Sequence, residues 1–444
     1  MKKEKQMSFP ELTEWVIDRT LKAGAKDCRI SLSKRRFVEI NYRERKPDTL
    51  KEATIRDLNL GVYVDNRYAN QSTPDIRLSS LESFITGLIE SARVMEEDPF
   101  RSLPDPVYYS GRTEADLQKT DPGYDQLSPE ERHSIIQKAE NACTVKGGQK
   151  VISVEAGEYD EKYEEYVRTS NGFEASSQGT VFQLGASMYG QDEGDRRPTG
   201  YQYSVATHLA DLTAPEQIGT EAAIRTFDLF GAKKISTTKL PVIIENRVVQ
   251  VLLGFLLGPL SGRSIQQKRS CFANKKGEKI GSDLLTLTDD PFISRGLGSK
   301  LYDDDGFPTK RRNIISGGIL NDFLIDWYYS KKLECEPTSG SYTNLIIPPG
   351  DRSVEAITKD LPRCLLITDF LGGNSNSTTG DFSIGIFGKL FEKGQFRQNI
   401  AEMNIADNQL SFWNKLIEVS NDPWLSSSVR VPSLVFEEIV VSGI

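Results

Sequence analysis

The chain has 444 residues, 38% of them apolar and 27% charged, the balance of a soluble globular protein with room for two or three domains of about 100–200 residues each. Its 55 basic and 63 acidic residues leave a net charge of −8 and a pI of about 5.2, an acidic surface that argues against direct nucleic-acid binding. The longest apolar run, Val248 to Leu260, is broken by Gln250, Gly254 and Gly258 and falls short of the ~18–20 residues that span a bilayer, so no membrane association is expected.

At the amino end, Lys2, Lys3 and Lys5 are followed by Ser8-Phe9-Pro10-Glu11 instead of the apolar stretch of a signal peptide, which predicts a cytoplasmic protein. The same four residues read as a capping box with an early proline, opening a helix whose apolar face is Phe9, Leu12, Trp15, Val16 and Ile17. Val38, Ile40 and Tyr42 alternate with Glu39, Asn41 and Arg43, a half-buried strand, and Val62 to Tyr68 reads as a hairpin turning at Asp65-Asn66. Ser79 with Glu82 predicts the start of a second helix along Leu81, Phe84, Ile85, Leu88 and Ile89. Residues 96–127, punctuated by Pro99, Pro104, Pro106 and Pro122, form an irregular connector. Ser128-Pro129-Glu130-Glu131 caps a further helix bearing Ile135, Ile136 and Ala139, with His133 near its wet edge.

Strands and hairpins follow from Val151 to Leu209, with turns at Asn171-Gly172 and Asp192 to Asp195. Thr213 to Glu216, with Pro215 inside, predicts a helix cap, and Gly231 its stop. The polar bridge Lys233 to Lys239 sets the expected boundary between residues 1–232 and 233–444. The second part opens on a buried strand, Pro241 to Glu245, and a helix from about Arg247, then runs through short strands and glycine-rich turns. The fold class expected is α+β: mixed helices and antiparallel strands first, then a β-rich domain with a buried helix.

Five cysteines at long spacings, without CxxC, read as reduced thiols. Only two histidines exist, His133 and His208, too far apart in sequence to form a local zinc site, and any Ser-His-Asp or Cys-His triad would have to use one of them. Neither a phosphate loop, a GxGxxG turn nor a GxSxG elbow is present. Asp303-Asp304-Asp305-Gly306 resembles a calcium loop, but Leu301 and Arg312 stand where that loop needs acids, so an acidic turn or a loop beside a cleft is the expectation.

An ordered set of segments in the second half carries a family resemblance: Leu252 to Gly262, Ser270-Cys271-Phe272, Thr288 to Pro291, Gly296-Leu297-Gly298-Ser299, Asp303 to Arg311, Gly317 to Leu320, Thr378 to Ser383, Asn421-Asp422, Pro432-Ser433 and Val441-Ser442-Gly443. In this order they resemble the TldD/TldE (PmbA) family, once called modulators of DNA gyrase. The resemblance implies an α+β two-domain subunit of a pair that cleaves extended or unfolded peptides. One subunit type, TldD, carries HExxxH, in which two His bind zinc and the Glu activates water. The other, TldE, lacks them. Here Leu253, Gly254 and Gly258 stand where those ligands would be, no Cys occupies Trp424 to Ser426, and no His follows His208. The resemblance therefore implies a TldE-type subunit with no catalytic or metal residues and no cofactor of its own, zinc being held by a TldD-type partner. Homodimer and heterodimer both remain open.

For a peptide cleft, the candidates are Gly380, Asp381, Phe382 and Ser383, read as a strand beside the cleft or as a tight turn entering a strand. Arg311, within Lys310-Arg311-Arg312, reads as a contact to a peptide carboxylate or a partner acid, or as a solvated strand end. Thr338 to Asn344 reads as a plain surface turn. Two other functions are weighed against the peptidase subunit: a non-enzymatic peptide-binding or scaffold homodimer of the gyrase-modulator type, and a metal-independent enzyme for which the sequence offers no activated nucleophile.

Overall fold

The computed structural model describes residues 7–443, so Lys2, Lys3 and Lys5 lie outside the described residues. Ser8 caps α1 (Phe9–Lys22): its Oγ accepts from the Glu11 N–H, and the Glu11 carboxylate accepts from the Ser8 N–H at 2.7 Å. β1 (Asp27–Arg43) and β2 (Lys46–Val64) form a long antiparallel ribbon, and β3 (Arg67–Thr73) joins it through Asp65 and Asn66, both at positive φ (47° and 59°), as a type I′ turn requires. α2 (Leu78–Arg93) starts earlier than Ser79 predicts. Its N-cap is Arg77, and the Asp75 carboxylate takes the Arg77 N–H at 3.2 Å, so Ser79 lies inside the helix and not at its start.

The connector holds only two single 3₁₀ turns, Pro106–Tyr109 and Tyr124–Gln126, before Ser128 and Glu131 cap α3 (Pro129–Gly147). β4 (Val151–Thr169), β5 (Glu174–Gly190) and β6 (Thr199–Ala206) complete a six-stranded antiparallel sheet in the order β3-β2-β1-β4-β5-β6. The Thr213 cap does not form, because the Thr213 N–H donates to Ser204 Oγ at 3.0 Å. Instead α4 (Pro215–Phe227) begins after Ala214 and stops short of Gly231, which closes the turn beyond it at φ 57°.

Strand alternation divides this sheet into two faces. Cys28, Ile30 and Leu32 of β1 pack under α1 and α2, while Val38, Ile40 and Tyr42, with the same parity, pack under α3 and α4. Each fully buried side chain of this size stabilises the fold by roughly 1.5–3 kcal/mol. All four helices therefore cover one face and leave the other open. Between the two cores, Arg132 Nε donates to the buried Asp160 at 2.5 Å, and the buried Glu158 lies beside them, pushed up to about 9 by burial and then by Asp160.

The carboxy-terminal part runs β7 (Thr238–Ile244), α5 (Asn246–Leu257), α6 (Gly262–Gln266), β8 (Leu287–Asp289), β9 (Arg312–Ser316), β10 (Ile319–Leu320), α7 (Trp327–Leu333), β11 (Leu345–Ile346) and α8 (Val354–Asp360). It ends with β12 (Arg363–Ser375), β13 (Asp381–Glu392), β14 (Gln395–Asn408), α9 (Gln409–Phe412), β15 (Leu416–Val419), β16 (Val429–Arg430) and β17 (Leu434–Ser442). The order β14-β13-β12-β7-β17 closes through Asn404↔Ser442 and Ile405↔Val441 into a five-stranded barrel, to which β15 is added. A smaller sheet, β10-β9-β8-β11-β16, stands apart. Leu252, Leu253 and Leu256 of α5 share one core with Val242, Ile367, Ile384 and Phe436 of the barrel, and α8 covers the opposite strand face at Ile243, Cys364 and Val435. The architecture is α+β with a barrel-containing, β-rich second part.

Candidate functional site

Helix α5 begins in a dense polar junction. The Glu245 carboxylate accepts two bonds from Arg225 of α4, at 3.1 and 3.0 Å. Arg247 donates Nη1 to Gln202 Oε1 at 2.8 Å and to the Tyr201 carbonyl at 3.2 Å, with the Tyr201 ring 5.0 Å over its guanidinium. Burial, then the neighbouring Arg225, pulls Arg247 below the usual guanidinium range. On the barrel side, the Asn246 amide donates to the Asp422 carbonyl at 2.6 Å and the Asn246 N–H to Ser433 Oγ at 3.0 Å, while Ser433 Oγ donates to Asp422 Oδ2 at 2.8 Å. Asn421-Asp422 and Pro432-Ser433 thus supply the clamp on the start of α5.

The three positions that the resemblance sets against the zinc ligands, Leu253, Gly254 and Gly258, do not converge. Leu253 is 1% exposed and points into the core, whereas Gly254 and Gly258 lie one turn apart on the outer face. A Cβ on Gly254 would meet nothing within 4 Å, and one on Gly258 only Ser377 Oγ at 3.9 Å. Among the described residues no group of three or more His, Cys, Asp or Glu side chains could hold a metal. His208 is buried with its Nδ1 3.1 Å from Thr207 Oγ1, and His133 Nδ1 lies 2.9 Å from the Tyr42 hydroxyl. Ser426 Oγ stands 3.2 Å from Ser204 Oγ, and Trp424 meets the Tyr203 ring edge-on at 5.7 Å. These residues do not fit a zinc ion.

Gly380 has φ +86°, and a Cβ there would come within 2.9 Å of Asn408 Oδ1 and 3.3 Å of Cys271 Sγ, so the turn into β13 requires glycine. The Asp381 carboxylate accepts from Thr379 Oγ1 at 2.7 Å and from the Asn408 amide at 2.8 Å, which hold it below the usual carboxylate range. Phe382 is buried against Phe255 and Phe412, at ring distances of 5.9 and 5.2 Å. Asp381, Phe382 and Ser383 border an open cleft of about 620 Å³ with Arg269 and Ser377. Strand β13 is paired with β12 on one side and β14 on the other, so a peptide cannot join it as an added strand. Arg311 is apart from this cleft: its side chain is 69% exposed and pairs with Asp290 at 3.3 Å.

The acidic turn is structural: Asp303 Oδ1 accepts from the N–H groups of Asp305 (3.0 Å) and Phe307 (2.9 Å), and Asp305 Oδ2 from Trp327 N–H at 2.8 Å. Burial pushes Asp305 up to about 7. Residues Thr338 to Asn344 are not a plain surface turn. Thr343 donates to Asp289 at 2.5 Å and Asn344 to the Asp290 carbonyl at 2.7 Å, which buries both.

The largest cavity described, about 1060 Å³, escaped the sequence reading. It separates the open face of the six-stranded sheet from the loops 115–120 and 295–304, and Arg29, Lys119, Glu165, Tyr163, His208 and Tyr302 line it. Lys119 Nζ donates to the carbonyls of Ser299 (3.0 Å) and Leu297 (3.3 Å), and burial, then Lys300, lowers it to about 8. The available signal was the odd-numbered face of β1, mostly polar and charged from Asp27 to Arg35 opposite Cys28, Ile30 and Leu32.

Comparison with known proteins places these features in a family. Residues 122–230 match the profile described as the PmbA/TldA metallopeptidase central domain, and residues 237–443 that of its C-terminal domain. "Metalloprotease PmbA" of Escherichia coli O157:H7 is 27% identical over 95% of this chain and 94% of its own length. A crystal structure from Bacteroides thetaiotaomicron, described as a proposed modulator of DNA gyrase, is 34% identical with a TM-score of 0.95, covering 99% of this chain and 100% of that one. TldE from Thermococcus kodakarensis, 21% identical, shares the fold with a TM-score of 0.85 over 97% of this chain and 100% of its own.

Proposed function

Since the chain belongs to the PmbA/TldD metallopeptidase family, we propose that it is the TldE/PmbA-type, metal-free subunit of a two-chain peptidase acting on extended or unfolded peptides in the cytoplasm. The observation that carries this reading is α5, whose scaffold and clamp are intact while Leu253 faces the core and Gly254 and Gly258 leave its outer surface bare. Zinc in a TldD-type partner would supply the activated water. This chain's part is to wall the substrate space: the open sheet face, the loops above it and the bare flank of α5 exclude bulk water and hold the peptide extended.

Co-expression with a TldD-type chain should give a stable complex that cleaves unfolded peptides and loses activity with a chelator. Cleavage by this chain alone in the presence of chelator would sink the reading. The similar structure described as a gyrase modulator supports a second reading, a peptide-binding homodimer without catalysis. A homodimer that persists when a TldD-type chain is added in excess, with no cleavage, would favour it.

A further inference from the structure

The cavity over the open sheet face has the length of a peptide. At one end Arg29 pairs in register with Thr169 of β4. At the other, Lys119 accepts the Thr180 N–H at 2.9 Å through its carbonyl, and Thr180 pairs with Lys162 of the same strand. The interval from Lys162 to Thr169 corresponds to roughly 23 Å, at ~3.3 Å per residue, room for about seven extended residues. Loop 295–304 roofs this length: the Arg295 N–H donates to the Leu117 carbonyl at 2.9 Å at the Lys119 end, and the Tyr302 ring meets Phe173 at 5.4 Å towards the Arg29 end.

The charges along the trough are unequally satisfied. Arg295 pairs with Asp211 at 3.2 Å, Lys300 with Asp304 at 3.2 Å, and Lys119 holds two carbonyls. Arg29 is half-buried in the cavity wall, and among the described residues its guanidinium has no hydrogen-bond or ion-pair partner. The half-buried Asp305 feels its positive charge but stands beyond ion-pair distance, committed to the Trp327 N–H. A half-buried guanidinium is costly unless paired, and its planar fork matches a carboxylate. Glu165, at the Ser33 register in the middle of the trough, disfavours an anion there and leaves the Arg29 end as the place for one.

Resting on the peptide reading above, we propose that Arg29 anchors a carboxylate of an extended peptide lying in this trough, either the carboxyl terminus or an acidic side chain at that end of the bound segment. The test uses the full chain, alone and with a TldD-type partner, and fluorescent Gly/Ser/Thr heptapeptides. One has a free carboxyl terminus, one a terminal amide, one an amide preceded by Asp, and one an amide with Asp at the amino end. At least one of the first, third and fourth should bind ten-fold or more tighter than the plain amide, and which one identifies the source of the carboxylate. Arg29→Gln should reduce that preference to within two-fold without changing amide binding or thermal stability, and Arg29→Lys should keep part of it. Equal binding of all four peptides, or a preference that survives Arg29→Gln, overturns the anchor while leaving the peptidase reading intact. Displacement by succinate as strong as that by the heptapeptide acid overturns the peptide as occupant. No binding of any peptide by chain or complex overturns the functional reading itself.

Discussion

The start of α5 and the trough over the sheet both lie where the amino-terminal sheet meets the carboxy-terminal part, yet they satisfy their charges in opposite ways. At α5, Arg225 and Arg247 converge on Glu245, Gln202 and a carbonyl, and the helix beyond them buries leucines. In the trough, among the described residues, the Arg29 guanidinium has no hydrogen-bond or ion-pair partner and Lys119 Nζ holds only carbonyls. The first is the pattern of a junction that must not move, and the second that of a surface built to receive something. On the function proposed above, α5 keeps the place of a metal helix as a structural element, while recognition falls to side chains on another layer.

The comparison breaks most visibly at Glu245. Glu245→Ala leaves the buried Arg247 and the half-buried Arg225 facing each other and should cost about 3 kcal/mol in denaturant unfolding. A loss below ~1 kcal/mol would show the junction to be no stronger than a surface pair. Next, Leu253→Ala should cost about 2–4 kcal/mol as a core cavity. Leu253→His should destabilise similarly and bind no zinc by metal analysis, because the side chain points into the barrel core; zinc uptake would mean that the helix can turn its ligand face outward.

The covered face of the sheet sharpens the contrast through pH. Burial, and then the neighbouring Asp160 whose charge Arg132 takes up, hold Glu158 protonated up to about 9 in the folded chain. The unfolded chain releases that proton near the ordinary Glu value of about 4.5. Stability is thus full below ~4.5 and falls as pH rises towards about 9. Glu158→Gln should flatten thermal-unfolding profiles across that window and raise the unfolding temperature at pH 8. A wild-type profile already flat from pH 5 to 9 would contradict it. The smallest effect is at Gly254, where a Cβ meets nothing: Gly254→Ala should stabilise the isolated chain by about 0.5–1 kcal/mol. If the same substitution weakens the complex, the bare flank of α5 is in use there.

Much of this was legible in the sequence because it is local. The Ser8 and Ser128 caps, the Asp65-Asn66 turn, the proline-marked connector and the Pro241 strand are encoded by neighbours in the chain. The failures are equally local in cause. Ser79 and Thr213 have the composition of caps, but α2 already starts at Leu78 behind Arg77, and Ser204 captures the Thr213 N–H. Closure of the barrel was hidden because Asn404 and Ser442 meet only through tertiary register. So was the trough: Arg29, Lys119 and Ser299 come from three distant segments, and nothing in their spacing announces a shared wall. The absence of zinc ligands, by contrast, could be read directly, since two histidines on separate elements leave nothing to assemble.

The central claim is that this chain keeps the place of a metal helix without its chemistry. It is tested most directly by zinc analysis of the purified chain alone and of its complex with a TldD-type partner, alongside peptide cleavage. The account predicts substoichiometric zinc and no cleavage for the isolated chain, and one zinc per pair with chelator-sensitive cleavage for the complex. One tightly held zinc per isolated chain, or chelator-resistant cleavage by it, would contradict it.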